Sequence, residues 1–168
     1  MRLPDTAREF LARHLECVRR SRPRKRIVFP EGGDPRIMAA AERLAREELA
    51  APILIGPRPV QVHTGVAFVD PASDPRTSRY AALYHQRRGA RGVTEKVAAE
   101  IARRPLYFAA LMVGAGDADG FVGGAATSTA ETVRAAIHSI GTAPGVRTVS
   151  GFFIVALPHR QEIGRAHV

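Results

Sequence analysis

The chain has 168 residues, 45% hydrophobic and 24% charged, proportions of an ordinary globular sequence with room for one sizeable core. Its formal charge of +9 is unevenly spread, because residues 1–26 carry nine Arg or Lys against three acids and the remainder is close to balance. With 6% aromatic residues and no zinc-finger or RNA-recognition spacing, this basic arm is read as a solvated helix and linker, with no nucleic-acid partner. Cys17 is the single cysteine, which excludes an internal disulfide and fits a reducing compartment. No run of about 18 apolar residues is present to span a membrane, so the expectation is a cytoplasmic protein with no membrane partner.

In chain order, Leu11, Leu15 and Val18 form the stripe of a short amphipathic helix that should lie against something larger. "RIVFP" reads as a strand. "EGGDPR" follows with an Asp suited to N-capping and a Pro at the first helical position, opening a helix over 35–49 that turns Ile37, Met38, Ala41, Leu44 and Ala45 to one side. "PILIG" and "VAFVDP" read as strands, with "PASDPR" as a turn and cap. Helices are expected over 76–88 and 94–103, and through "LYFAALMVGAG", which is apolar all round and therefore buried. A short strand at "DGFVGG", a helix over 129–140 and a long strand at "TVSGFFIVALP" complete the alternation. That order predicts an α/β fold, a parallel sheet with helices on both faces.

The stretch "GDADGFVGGAATSTAETVR" carries the chemistry. Ser128 and Glu131 make an S-x-x-E capping box, with Ala130, Val133, Ile137 and Ile140 expected to face the core. Two interpretations fit. One is purely structural: a strand, a Gly-rich turn and a capped helix. The other starts from the anion affinity of a helix N-terminus: Gly123 and Gly124 would admit a close ligand, Thr127, Ser128 and Thr129 would add hydroxyl donors, and Arg134 a cation, together suiting a phosphate or acyl phosphate. The stretch matches neither a Walker loop nor the G-x-G-x-x-G dinucleotide pattern. Asp117 and Asp119 read as turn and strand-entry caps rather than a general base. His63, His85, His138 and His159 lie far apart and predict no metal site.

"RKRIVFPEGGDPRIMAAAERLAREELAAPILIG", "RGVTEKVAAEIARRPLYFAALMVGAGDADGFVGGAATSTAETVRAAIHSIGTAPGV" and "VSGFFIVAL" together resemble the phosphate acetyl/butyryltransferase family, nearest the amino-terminal half of its phosphate acetyltransferase members, over roughly residues 24–157. The resemblance implies interconversion of acetyl-CoA and phosphate with CoA and acetyl phosphate. It also implies a two-domain isocitrate/isopropylmalate dehydrogenase-like fold of which this chain holds only the first domain. Other implications are an active site between the domains, a homodimer when complete, and coenzyme A as substrate with no bound cofactor. In that light Ser128 and Thr129 match the phosphate-facing helix start, with Thr127 beside them, and Arg134 matches a substrate-binding arginine. Arg87 or Arg88 matches loosely a basic position that would meet CoA phosphates. The "PEGGDPR" loop, with Glu31 and Asp34, is expected to be structural.

Departures from the pattern bear on activity. The family's proposed base, an aspartate, and a Ser-Arg pair lie in the carboxyl-terminal half, so no catalytic residue is expected in this chain, which by itself should be inactive. "ETVRAA" stands where the family has "DTVRPA". The expected organisation is a basic helix and linker at 1–23, a first α/β domain at 24–147 and the first strand of a second domain at 148–158. Residues 159–168 are expected to be a non-native tail, since "IGRAHV" is also the translation of a common sequencing-adapter string. Phe152, Phe153 and Ile154 would be core residues of that strand. A non-catalytic acetyl-CoA-sensing domain, as in malic enzyme fusions, is the alternative from another class.

Overall fold

The computed structural model describes residues 4–58, 64–156 and 161–167. In chain order the elements are α1 (Asp5–Arg20), β1 (Arg26–Phe29), α2 (Pro35–Arg46), β2 (Ala51–Ile55), β3 (Ala67–Val69), α3 (Thr77–Arg88), a 3₁₀ turn (Gly89–Arg91), α4 (Glu95–Ala102), α5 (Pro105–Gly114), β4 (Gly120–Phe121), α6 (Thr129–Ser139), β5 (Ser150–Ala156) and β6 (Gln161–His167). They fall into two units, Pro23–Gly141 and one made of both chain ends, Met1–Arg22 with Thr142–Val168.

The 23–141 unit is built on a parallel sheet in the order β3-β2-β1-β4, with Val28 opposite Ile53, Leu54 opposite Phe68 and Ile27 opposite Gly120. A parallel sheet covered on both faces needs apolar residues of both parities along each strand, which is what "RIVF" and "PILI" provide. Phe29 and Leu54, with Ile27, pack on Ile37, Met38, Ala41 and Leu44 of α2. Val28, Ile53 and Ile55 point the other way, into a larger core with Tyr80 and Tyr84 of α3, Ala98 and Ala102 of α4, and Phe108, Leu111 and Met112 of α5. The two faces expected from the βα alternation are therefore both present. Asp34 caps α2 as anticipated: its carboxylate accepts from the Arg36 N–H at 2.9 Å, and with the Arg36 guanidinium this brings its pKa down to about 2.

Helix α5 is buried over Leu106 and Phe108–Met112, in keeping with its unbroken apolar run. Tyr80 meets Phe108 edge to face, ring centroids 5.0 Å apart, and Tyr84 meets Tyr107 likewise at 5.8 Å. Asp117 and Asp119 both serve this frame. Asp117 accepts from the Tyr80 hydroxyl at 2.5 Å and from Arg79, while Asp119 accepts from the Arg26 backbone N–H at 2.8 Å and ties β4 to the start of β1. Burial, reinforced by the Asp117 hydrogen bond, pushes the Tyr80 phenol up to about 12.

Two expectations need correction. The core-facing stripe of α6 is Ala135, which packs with Leu106 and Ala110 of α5, and Ser139, whose carbonyl lies against Gly114; Ala130 is exposed and Ile137 is 42% exposed. Only small residues at 135 and 139 let α6 approach α5 closely, which apolarity alone does not reveal. The stripe of α1 is not covered, since Leu11 and Val18 are 45% and 40% exposed and Ala7 is its one buried residue. Residues 141–150, around the expected end of the first domain, are exposed throughout.

In the unit of the chain ends, β5 and β6 pair antiparallel from Ser150 opposite His167 to Ala156 opposite Gln161. His63, His159 and the side chains of Phe152, Phe153 and Ile154 lie outside the described residues. No helix among the described residues is long and apolar enough to cross a membrane.

Candidate functional site

From β1 the chain passes through α2 to β2 and β3 on one side of the sheet, and it returns on the other side of β1 as β4. The loops at the carboxyl ends of β1 and β4 therefore diverge, and an α/β sheet opens its binding crevice at such a reversal of strand order. A cleft of about 370 Å³ lies there. Its walls are Pro30 and Glu31 after β1, Arg104 to Tyr107 at the start of α5, and Thr127, Glu131 and Arg134 at the start of α6.

The loop leading into α6 is organised by Glu31. Oε1 of that carboxylate accepts from the backbone N–H groups of Gly124 at 3.3 Å, Ala126 at 2.7 Å and Thr127 at 3.0 Å, and from the Thr127 hydroxyl at 3.0 Å; Oε2 accepts from the Ala125 N–H at 3.0 Å. Burial pushes this carboxyl up, but the converging donors outweigh it and hold the pKa below its ordinary value. Gly124, at φ +113°, supplies the left-handed turn that aims successive amides at one point. At Gly123 a Cβ would stand 3.1 Å from Pro30 Cγ. Gly123 thus allows the loop to lie against Pro30, and Gly124 lets it wrap the Glu31 carboxylate.

The capping box is present in full. Ser128 Oγ accepts from the Glu131 N–H at 3.2 Å and donates to Glu131 Oε2 at 2.8 Å, and Glu131 also accepts from the Ser128 N–H at 3.2 Å. These Ser128 donors hold the Glu131 carboxyl below its ordinary pKa. The hydroxyls of Thr127 and Ser128 are thereby engaged inside the loop and cap. Thr129 begins the helix, where its own N–H and that of Ala130 have no intrahelical acceptor.

Arg134 reaches the cleft from α6, and Arg104 reaches it from the residue before α5. Both are exposed, and among the described residues neither guanidinium makes a hydrogen bond or an ion pair. Arg104 was not singled out in the sequence. The Pro at the first position of α5 marks a helix start, but only the packing of α5 beside β4 carries residue 104 to the crevice.

The two remaining candidates part company. Arg87 turns to the carboxyl ends of two helices, donating to the carbonyls of Ser139, of Ile140 at 2.6 Å and of Gly114 at 3.3 Å. Arg88 is half-buried, and its Nε has no partner. Its charge acts on His138, whose Nδ1 is 3.3 Å from the Tyr84 hydroxyl. Burial, followed by Arg88, Arg134 and Arg91, holds His138 below its ordinary pKa. Among the described residues no three His, Cys, Asp or Glu side chains gather as metal ligands.

The family model described as phosphate acetyl/butaryl transferase matches residues 9–164. Phosphate acetyltransferase of Paracoccus denitrificans is 44% identical over 131 residues, covering 78% of this chain and 40% of the relative. That of Nitratidesulfovibrio vulgaris is 40% identical over 148 residues, covering 83% of this chain and 21% of the relative. Among solved structures, the EutD phosphotransacetylase from Staphylococcus aureus superposes with a TM-score of 0.76 at 32% identity, covering 91% of this chain and 49% of its own. A phosphotransacetylase from Streptococcus pyogenes gives 0.81 at 29% identity, covering 93% and 50%. The chain thus spans half or less of the length of these relatives, and with the family model matched over most of its residues it belongs to the phosphate acetyl/butaryl transferase family.

Proposed function

We propose that this chain is the amino-terminal half of a phosphate acetyltransferase that interconverts acetyl-CoA and phosphate with CoA and acetyl phosphate. The observation that carries the proposal is the placement of two unpaired arginines, Arg134 and Arg104, on a cleft at the reversal of strand order, beside the open N–H groups of the α6 start. In the forward step the CoA thiolate forms a C–S bond to the acetyl carbonyl carbon, the bond from that carbon to the phosphate oxygen breaks, and phosphate leaves. Arg134, Arg104 and the N–H groups of Thr129 and Ala130 hold the phosphoryl group and stabilise it as it departs. Ser128 and Thr127 act by fixing the helix start and the loop before it. Of the two candidates, Arg88 is kept for a CoA phosphate, because the Arg87 guanidinium is committed to the carbonyls of Ser139, Ile140 and Gly114.

The base that takes the thiol proton belongs to the other half of the protein, so this chain by itself binds without turning over. On the same proposal β5 opens the second domain of an isocitrate dehydrogenase-like fold, and the complete protein is a cytoplasmic homodimer.

Titration of the isotopically labelled 168-residue chain with inorganic phosphate, acetyl phosphate and CoA, paired with an assay for thioester formation, tests the assignment. The expected result is saturable shifts at Thr129, Ala130 and Arg134 without turnover. Shifts confined to the basic arm over residues 1–26, or none with any of the three, would refute it.

A further inference from the structure

The donors of residues 124–127 form an anion-binding concavity, and the chain fills it with its own carboxylate. Four successive backbone N–H groups and one hydroxyl converge on Glu31, from a loop that follows β4, whereas Glu31 itself follows β1. Arg36, held by Asp34 at 2.7 Å, reaches the Ala125 carbonyl at 3.2 Å and braces the same loop from α2. The loops that follow the two strands flanking the cleft are thus joined by Glu31, with Arg36 in support.

Two consequences follow from the chemistry. A tethered carboxylate already satisfied by five donors has a large advantage in effective concentration over a dissolved anion, so an external phosphate is excluded from the 124–127 amides. It is left with the donors still open on the cleft, those of Arg134, Arg104 and the first turn of α6. The loop held by Glu31 also leads directly into Ser128, so its conformation sets where the first turn of α6 stands relative to β1 and hence to Arg104.

We propose that Glu31 is the positioning residue of this cleft, a built-in anion that locks residues 124–127 and so confines an external phosphoryl group to the arginine side. The proposal rests on the cleft taking a phosphoryl group, as argued above. Glu31 is not a catalytic residue on this account, since it acts through the loop and not on the reacting atoms.

Inorganic phosphate binding to the 168-residue chain, followed residue by residue through backbone amide shifts, tests this in the unaltered protein and in Glu31→Ala. The expected result is that phosphate moves Thr129, Ala130 and Arg134 but not residues 124–127 in the unaltered chain. In Glu31→Ala affinity on the arginine side falls about tenfold, the scale of one lost charge-assisted contact, and the 124–127 amides now respond to phosphate. Added formate, a free carboxylate for the vacated concavity, restores the original pattern. A general loss of stability would not be reversed by formate. Should Glu31→Ala fail to fold, Glu31→Gln retains the size of the side chain and puts an amide donor among the N–H groups; it should show the same weakened affinity with an altered 124–127 loop. A variant that binds phosphate as the unaltered chain does overturns the role of Glu31 alone. An unaltered chain that binds no phosphate overturns the cleft assignment on which the proposal rests.

Discussion

Replacing Arg87 by alanine separates its two conceivable roles. In the structure its guanidinium is anchored to three carbonyls, those of Ser139 and Ile140 at the end of α6 and that of Gly114 at the end of α5. At this solvent-exposed edge each hydrogen bond is counted at about 0.5 kcal/mol, the low end for a neutral bond because solvent screens the charge, and the cation adds roughly 0.5 kcal/mol against the negative helix ends. The sum is about 2 kcal/mol, a sizeable fraction of the roughly 5–15 kcal/mol that holds a domain of this kind together. With a urea slope of about 2 kcal/mol/M the unfolding midpoint should fall by about 1 M, read by circular dichroism on the 168-residue chain. CoA affinity, measured by calorimetry under native conditions, should stay within about twofold, whereas Arg88→Ala should weaken CoA about tenfold, one charged contact, and leave the midpoint nearly in place. An unchanged midpoint for Arg87→Ala, or a tenfold loss of CoA affinity without destabilisation, would refute the assignment of Arg87 to the helix ends.

Arg134→Ala should weaken phosphate or acetyl phosphate binding by about tenfold or more, while Arg79→Ala, whose partner is Asp117, should not change it; equal effects in a binding titration would remove Arg134 from the site. Phe108→Ala, at a fully buried ring packed edge to face on Tyr80, should cost about 3–5 kcal/mol in urea unfolding, and a loss below about 1 kcal/mol would mean the core between sheet and helices is not packed as described. His138 has a depressed pKa in the folded chain, so the unfolded chain binds the proton more readily. Its contribution is complete above the ordinary value of 6.5 and is lost as pH falls through the lower folded value. The unfolding midpoint should therefore decline below pH 6.5, and His138→Asn should flatten that decline; identical profiles would contradict the burial of this ring among Arg88, Arg91 and Arg134.

Local chemistry in the sequence determined a great deal. The apolar runs "RIVF" and "PILI" become parallel strands because both of their faces are covered, and α5 lies in the core because no side of it is polar. Asp34 and the Ser128–Glu131 pair cap helices through bonds spanning two or three residues, which sequence spacing reveals directly. The motifs that carry the family resemblance, from "PEGGDPR" to "TSTAETVR", were legible for the same reason, as short runs of defined residue types in a fixed order.

Tertiary structure decided what depended on residues far apart in the chain. That Glu31 meets amides more than ninety positions away, that Arg104 shares a cleft with Arg134, and that Arg87 turns from its neighbour Arg88 towards the carboxyl ends of α5 and α6 all follow from β4 returning to the far side of β1. The same is true of α6, where burial passes to Ala135 and Ser139 because close approach to α5 favours small side chains over the more apolar Ile137. Hydrophobic periodicity reports which residues prefer to leave water, but a specific contact is chosen by strand order and helix spacing, quantities that no local window of sequence contains.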